Sequence, residues 1–154
     1  MLQLIESLFS LWNNNGIVYC SWKGNSHLDD AMNGTSDFDI LISTVSLEEG
    51  ISLLKKAGYM LCVTQQDSRY PGIQDWIGVD AATGIMIHVH LHQFMIAGHS
   101  GVMEYILPWN ELAFSTRQLD DEYGLYMMDP SLETLLLYTR FGIEHSTKKL
   151  VNTK

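Results

Sequence analysis

The chain has 154 residues, of which 46% are hydrophobic and 18% are charged. This length and composition predict one folded domain with a hydrophobic core and argue against a disordered chain. The 18 acidic residues outnumber the 9 basic ones, and the net charge of −9 disfavours a protein that binds long nucleic acids.

The ends and cysteines of the chain predict its compartment. No apolar run reaches the length of a membrane span, and residues 1–6 lack the basic start of a secretory signal. Cys20 and Cys62 each lie in an apolar stretch and have no metal-binding or redox spacing. We therefore predict two buried free thiols in a cytoplasmic protein without membrane contact.

The first predicted elements are a helix, a strand and a short helix. Apolar residues at helical spacing predict an amphipathic helix over residues 4–12, which the polar run at residues 13–16 ends. Residues 17–22 follow as a short strand. Ser26 and Asp29 have the spacing of a capping box, so a helix of barely two turns is expected to begin there.

The central part of the chain predicts two strands, a helix and a loop. In chain order these are a strand at residues 37–43, a helix at 46–58, a strand at 59–64 and a loop at 65–72. Ser46 and Glu49 form a capping-box pattern at the start of this helix, and Gly58 ends it. The loop has no periodicity and is expected near one end of the sheet, where it could carry substrate contacts.

A β-hairpin is predicted next. Residues 76–80 and 85–92 have strand character and flank a turn-length link at residues 81–84. The second arm contains three histidines at alternate positions, and the hairpin would place them at the centre or the edge of the sheet.

The C-terminal part predicts a turn into a short helix near residues 108–111 and a small strand at 125–127. Asp129 as N-cap and Pro130 at the first helical position predict a terminal helix from about residue 130. The whole order indicates a single α+β domain over residues 1–154, with a mixed β-sheet flanked by helices.

Two carboxylates share one face of the second predicted strand. Residues i and i+2 of a strand point the same way, so Asp37 and Asp39 project together and can chelate a hard cation. The backbone N–H groups of Asn25 and Ser26, at the start of a helix, can bind phosphate oxygens that this cation bridges. The combination predicts nucleotide phosphate chemistry.

These motifs, in this order, resemble the nucleotidyltransferase superfamily of DNA polymerase beta. Its pattern is a Gly-Ser turn before a helix and then an acidic-x-acidic strand, which residues 24–26 and 37–39 match. More narrowly, the chain is similar to uncharacterised bacterial nucleotidyltransferase-like proteins that carry LKG, DxDLLV and a strand ending in LH, here at residues 22–24, 37–42 and 89–92. The resemblance covers about the whole chain.

The resemblance implies a nucleotidyltransferase fold and a role for each of these residues. Asp37 and Asp39 would be catalytic ligands of Mg²⁺ or Mn²⁺ in the attack on the α-phosphorus of a nucleoside triphosphate, with release of pyrophosphate. Gly24 would let the backbone approach the phosphates, and Lys23 would meet a phosphate as a point charge. The nucleotide-binding turn would consist of Lys23, Gly24, Asn25 and Ser26.

The chain departs from the pattern at the third motif. An active member places a further carboxylate there, whereas this chain has His90 at the matching position, with His88 and His92 beside it. Imidazole ligates Mn²⁺ or Zn²⁺ but suits Mg²⁺ poorly, so His90 is a candidate metal ligand and its two neighbours are further candidates. One or two of the three are expected at any single ion. Asp75 or Asp80 would supply the missing charge, depending on the register of the hairpin.

The expected function is that of a metal-dependent nucleotidyltransferase-like protein. It would bind a nucleoside triphosphate and transfer a nucleotidyl group to a small-molecule or protein acceptor. Two alternatives stay open: a degenerate, noncatalytic member that binds a nucleotide or a partner, and a hydrolase with a histidine-bound Zn²⁺. A partner domain or a second copy of the chain could complete the cleft for the acceptor.

Overall fold

The computed structural model describes residues 1–63, 70, 72–98 and 105–151, with side chains as far as residue 143. The helices are α1 (Gln3–Asn14), α2 (Leu28–Met32), α3 (Leu47–Ala57), α4 (Asn110–Thr116) and α5 (Pro130–Val151). The strands are β1 (Tyr19–Ser21), β2 (Phe38–Ile42), β3 (Met60–Cys62), β4 (Ile73–Val79), β5 (Met86–His92), β6 (Met95–Ala97), β7 (Tyr105–Leu107), β8 (Gln118–Leu119) and β9 (Tyr126–Met127). A 3₁₀ turn, Asn25–His27, leads into α2. The predicted α+β class with a mixed sheet is confirmed.

One mixed sheet organises the part of the chain that the structure describes. Its strand order is β3-β4-β5-β2-β1-β9-β8, and β6 pairs separately with β7. The pairs β2–β5 and β1–β9 are parallel, and the other neighbours in the sheet are antiparallel. Strand β5, which carries the three histidines, therefore lies inside the sheet between β4 and β2.

Apolar cores cover both faces of this sheet. One core contains side chains of α1, α2 and α3 together with Phe38, Ile40 and Ile42 of β2. The other contains Leu41 of the same strand, with side chains of α4 and α5. Because side chains alternate along a strand, Asp39 lies on the same face as Leu41, which is the face that α4 and α5 cover in part.

Several predicted elements are confirmed. The hairpin forms as β4 and β5, with Val79 paired to Met86 across the turn. Helix α5 begins as expected, because the Asp129 carboxylate accepts hydrogen bonds from the backbone N–H groups of Ser131 at 2.9 Å and Leu132 at 3.2 Å. Within the described ranges, no helix combines the length and the apolar character needed to cross a membrane.

The two predicted capping boxes are not formed, although the helices that they mark are present. The 3₁₀ turn precedes α2, which has no side-chain cap. At the start of α3, the Ser46 hydroxyl instead accepts a hydrogen bond from the backbone N–H of Val18 at 3.0 Å. A tertiary contact therefore replaces the local cap, and it fixes α3 to the segment that enters β1.

The predicted burial of both cysteines is confirmed for Cys20 and wrong for Cys62. Cys20 lies in the core beneath α4 and α5, whereas Cys62 is exposed. The reason is that β3 is an edge strand of the sheet and its three residues all face solvent. Apolar character alone did not distinguish this edge strand from a buried one.

Two short strands were not predicted, and one predicted loop cannot be compared with the structure. The short strands β6 and β8 have two or three residues each, too few for a periodic pattern. The predicted loop at residues 65–72 falls mostly outside the described residues, which include only Tyr70 and Gly72 of it.

Candidate functional site

Strand register brings carboxylates to both sides of the histidine strand. In the parallel pairing of β2 with β5, Asp39 lies beside His90. In the antiparallel pairing of β4 with β5, Asp75 lies on the other side of the same histidine. Since alternate residues of a strand share a face, His88 and His92 project on the same side as His90. The site is thus a row of imidazoles between two acidic strands.

The imidazole nitrogens of His88 and His90 contact both acidic strands. Nδ1 of His88 is 3.2 Å from an oxygen of Asp37, and its Nε2 is 3.2 Å from Oδ1 of Asp75. Nδ1 of His90 is 3.4 Å from Oδ1 of Asp39, and its Nε2 is 3.1 Å from the same Asp75 oxygen. Asp75 therefore contacts both imidazoles from β4. Asp39 of β2 and Asp37, which directly precedes β2, contact them from the other side, where Oδ2 of Asp37 also lies 3.9 Å from Nε2 of His90.

The site runs from solvent into the interior. The side chain of Asp37 is 49% exposed and that of Asp39 is 18% exposed. His92, only 3% exposed, lies at the inner end, where its Nε2 is 3.0 Å from Oδ1 of Asp39. The Trp22 ring packs against it at 5.0 Å between ring centroids. The outer carboxylate can thus reach a ligand, and the inner residues are held by packing.

Asp39 is held as an anion. Burial by itself would raise its pKa, but hydrogen bonds from His90 and His92 and the ammonium group of Lys23 outweigh burial and hold the pKa well below its usual range. The Nζ of Lys23 lies 2.9 Å from Oδ1 of Asp39 and 5.1 Å from the centre of the Trp22 ring. The inner carboxylate is therefore charged and already paired with a cation.

The neighbouring histidines differ in their proton affinity. The hydrogen bond to Asp39 raises the pKa of His90 against the effect of burial, and the charges of Asp37 and Asp75 raise it further. Burial lowers the pKa of His92 despite its contact with Asp39. Nδ1 of His92 is buried and has no hydrogen-bond partner among the described residues, so a neutral His92 carries its proton on Nε2, toward Asp39.

The predicted turn and the acidic strand line one cleft. Lys23, Gly24, Asp37 and Asp39 all line this cleft, which has about 450 Å³ of unoccupied space including its open mouth. Gly24 has φ of +76°, a left-handed conformation, and a Cβ at this position would meet no atom within 4 Å. Glycine is thus needed here for the path of the backbone rather than to avoid a steric clash.

Asn25 and Ser26 lie beside this cleft rather than in its wall. The backbone N–H of Asn25 donates to Oε1 of Glu133 at 3.2 Å, and its side-chain amide donates to Oε2 at 3.1 Å. Its side-chain oxygen accepts a 2.6 Å hydrogen bond from the Ser21 hydroxyl. Ser26 is exposed. Of the four predicted turn residues, the cleft therefore brings only Lys23 and Gly24 together with the carboxylates.

Sequence reasoning missed Glu133 because it lies on α5, 108 residues from Asn25. No local pattern links the two. The nearest available signal was the polar side chain of Asn25 directly after a glycine, which indicates a turn but does not name its partner.

The structure decides which residue supplies the extra carboxylate. Asp75 contacts two histidines of the site. Asp80 is buried at the far end of the hairpin, where it accepts hydrogen bonds from the backbone N–H groups of Leu4, Ala82 and Thr83. Asp80 therefore has a structural role, and Asp75 adds a third carboxylate to the site.

Two groups of side chains could hold a metal ion. One consists of Asp37, His88 and His90, and the other of Asp39, His90 and His92; the ligand atoms of each group lie within 4.8 Å of one another. Each group has two histidines, which agrees with the expectation that all three do not share one ion. Two imidazoles with a carboxylate form a donor set suited to Zn²⁺, Mn²⁺ or Fe²⁺.

Comparison with models of protein families, with curated proteins and with solved structures gave no match in any of the three.

Proposed function

We propose that the chain binds a nucleoside triphosphate together with a divalent cation, in the cleft between Gly24 and β2. The observation that carries the proposal is that Lys23, Asp37 and Asp39 line this one cleft. A cationic side chain and a pair of carboxylates in a concave site are what a metal–triphosphate complex requires. Nucleotidyl transfer to a small-molecule or protein acceptor is the reaction that this arrangement supports best.

Each side chain has a distinct part in this proposal. Asp37 and Asp39 would hold a divalent cation, which neutralises phosphate oxygens and polarises the phosphorus when bound. Lys23 would give up its contact with Asp39 and contact a phosphate oxygen instead. The carboxylate and the phosphate are both anionic, and the flexible lysine side chain could reach either. The net charge of −9 favours a compact acceptor over a long nucleic acid.

Calorimetry with nucleotides tests the proposal. ATP, GTP, CTP and UTP, each with Mg²⁺ or Mn²⁺, are titrated into the wild type and into a variant carrying Asp37→Asn and Asp39→Asn. We expect metal-dependent binding of at least one nucleotide to the wild type and its loss in the variant. The control carries Glu48→Gln and Glu49→Gln, which remove two exposed charges from α3 and should leave binding intact. Absence of binding to folded wild type, or equal binding by the site variant, would overturn the proposal.

A noncatalytic nucleotide-binding protein of the same fold is the first alternative, and one observation favours it. The Lys23 ammonium group already pairs with Oδ1 of Asp39 at 2.9 Å. The resemblance also implies that His90 stands where an active member has a carboxylate. If the wild type binds nucleotide without turnover, His90→Asp should introduce metal-dependent release of pyrophosphate. A variant that stays inert would show that the third ligand is not what limits turnover.

A histidine-metal hydrolase is the second candidate, and the donor sets with two histidines favour it. Such an enzyme would retain zinc through purification without a histidine tag. Stoichiometric zinc together with metal-dependent hydrolysis would support it, and protein free of zinc would count against it.

A further inference from the structure

His88 and His90 each have a carboxylate at both ring nitrogens. Oδ1 of Asp75 lies 3.2 Å from Nε2 of His88 and 3.1 Å from Nε2 of His90. Nδ1 of His88 is 3.2 Å from Asp37 and Nδ1 of His90 is 3.4 Å from Asp39, while Nε2 of His90 also lies 3.9 Å from Oδ2 of Asp37. One residue of β4 therefore contacts the Nε2 atom of both imidazoles.

This arrangement limits how each of the two rings can be protonated. An ionised carboxylate only accepts hydrogen bonds, so a neutral imidazole, which carries one proton, can donate to only one of the two carboxylates that flank it. A ring that donates to Asp75 through Nε2 has its lone pair on Nδ1, which then faces a second carboxylate without a donor. Such a ring needs a second proton or a metal ion on the side of Asp37 and Asp39.

The charge of the cluster matches a divalent ion. With neutral imidazoles, the carboxylates of Asp37, Asp39 and Asp75 stand against the single ammonium group of Lys23, which leaves two negative charges. A divalent cation neutralises them, and two additional protons on the histidines would do the same. Metal and protons therefore compete for the same positions.

We propose that Asp75 holds the imidazoles of His88 and His90 from β4, with the proton of His88 on Nε2, so that the group of Asp37, His88 and His90 binds a divalent transition-metal ion in preference to Mg²⁺. Imidazole nitrogen suits Mn²⁺, Zn²⁺ or Co²⁺, whereas Mg²⁺ prefers oxygen ligands. A carboxylate on the far nitrogen of a ligating histidine is the outer contact that orients such ligands and raises their basicity. Asp75 is thus a positioning residue, and the inference names the cation class of the proposed function without requiring nucleotide transfer.

The distances are compatible with this role. Ligand atoms that share an ion at bond lengths of about 2.1 Å lie about 3.0 to 3.4 Å apart. Nδ1 of His88 is 3.2 Å from Oδ1 of Asp37, and Nε2 of His90 is 3.9 Å from Oδ2 of the same carboxylate. The ligand atoms of Asp37, His88 and His90 all lie within 4.8 Å of one another, so these side chains would move closer together to share an ion.

Metal titration without nucleotide tests the inference. Protein freed of metal and of any affinity tag is titrated with Zn²⁺, Mn²⁺ and Mg²⁺, and Co²⁺ binding is followed by its visible absorption. We expect Zn²⁺ and Mn²⁺ to bind at least about 10-fold more tightly than Mg²⁺, and Asp75→Asn to weaken Zn²⁺ binding by about 10- to 100-fold. Glu48→Gln, an exposed charge change on α3, is the control and should bind as the wild type does.

The histidine ¹⁵N chemical shifts give a readout that a purely structural role would not change. With Zn²⁺ bound, His88 should be metal-bound at Nδ1 and protonated at Nε2, toward Asp75. Circular dichroism confirms that Asp75→Asn is folded; if it is not, the shifts of the wild type alone decide. Binding of His88 through Nε2, unchanged affinity in a folded variant, or Mg²⁺ binding as tight as Zn²⁺ would overturn the inference. Tight zinc binding with no nucleotide binding would support it and contradict only the proposed function.

Discussion

Asp80 binds two separate parts of the fold through its buried side chain. Oδ2 accepts the backbone N–H of Leu4 at 3.0 Å, and Oδ1 accepts the N–H groups of Ala82 and Thr83 in the hairpin turn. These hydrogen bonds, that from Leu4 first, lower the pKa of Asp80 against the effect of burial. The ionised form is therefore favoured by folding.

The pH dependence of stability follows from this pKa. A carboxyl group whose folded-state pKa is lowered stabilises the protein above its unfolded pKa of about 3.9, and this contribution is lost as pH falls through the folded value. Asp80→Asn should lower the urea midpoint at pH 7, and its difference from the wild type should shrink below about pH 4. Urea titrations over pH 2 to 7 measure this, with Asp121→Asn, an exposed turn residue, as the control. A difference that grows at low pH would contradict the prediction.

The two cysteines should differ in reactivity. Burial raises the pKa of the Cys20 thiol to about 12, whereas Cys62 is exposed on the edge strand. Since the thiolate is the reactive form, a thiol reagent should modify one thiol in the folded protein and the second only in urea. The absorbance of the chromophore that the reagent releases gives the number of modified thiols. Cys62→Ser should abolish the reaction that is seen in the folded protein. Two fast thiols in the folded protein would be inconsistent with this structure.

Glu133 should matter for nucleotide binding through Asn25. Its carboxylate accepts two hydrogen bonds from that residue, directly after Gly24. A hydrogen bond to a charged group contributes about 1.5 kcal/mol or more to the stability of the turn that follows Gly24, so Glu133→Gln should loosen this turn and weaken nucleotide binding by up to about 10-fold. Calorimetry measures this, and Zn²⁺ affinity without nucleotide should be unchanged, since among the described residues the hydrogen bonds of the Glu133 carboxylate go to Asn25 rather than to the histidine row. Equal losses of both affinities would indicate a general structural effect instead.

At the scale of elements, Gly78 on β4 marks a close contact between the hairpin and its surroundings. A Cβ there would lie 2.6 Å from Leu4 and 2.9 Å from the Tyr59 ring. Gly78→Ala should therefore destabilise the protein by about 1–3 kcal/mol through overpacking. Urea unfolding measures the loss. In the control Gly142→Ala, the added Cβ meets no atom within 4 Å, and a gain of up to about 1 kcal/mol in helix propensity is expected. Equal effects at both positions would contradict the packing argument.

The elements that carry the site differ in how far the sequence could predict them. Alternation alone predicted that Asp37 and Asp39 share one face of a strand and that the three histidines share one face of another. It could not choose between Asp75 and Asp80, because that choice depends on strand register and burial. The capping box at Ser46 was a wrong prediction for a related reason: a tertiary hydrogen bond from the backbone N–H of Val18 competes for the Ser46 hydroxyl.

For the whole molecule, the central sheet joins the two cores. Leu8 of α1 lies in one core and Leu136 of α5 in the other, and both are buried. Because strands such as β2 contribute side chains to both cores, we expect them to unfold together.

Leucine substitutions test this coupling. Leu8→Ala and Leu136→Ala should each cost about 2–5 kcal/mol. Tryptophan fluorescence and far-UV circular dichroism should follow one urea transition in both variants. Leu137→Ala is the control, because this neighbouring side chain is 55% exposed and its loss should change stability by less than about 0.5 kcal/mol. Separate transitions for the two signals would show that the cores are independent.

The mixed pairing around β5 has a consequence for how the site comes into being. Asp75 and the histidines belong to one hairpin and meet through local chain contacts, whereas Asp39 arrives from a strand about 50 residues earlier in the sequence. A slip of one residue between β2 and β5 would turn Asp39 toward the face of the sheet that α1, α2 and α3 cover. The complete set of ligands therefore exists only in correctly aligned molecules, so a tightly bound metal ion would report native strand alignment.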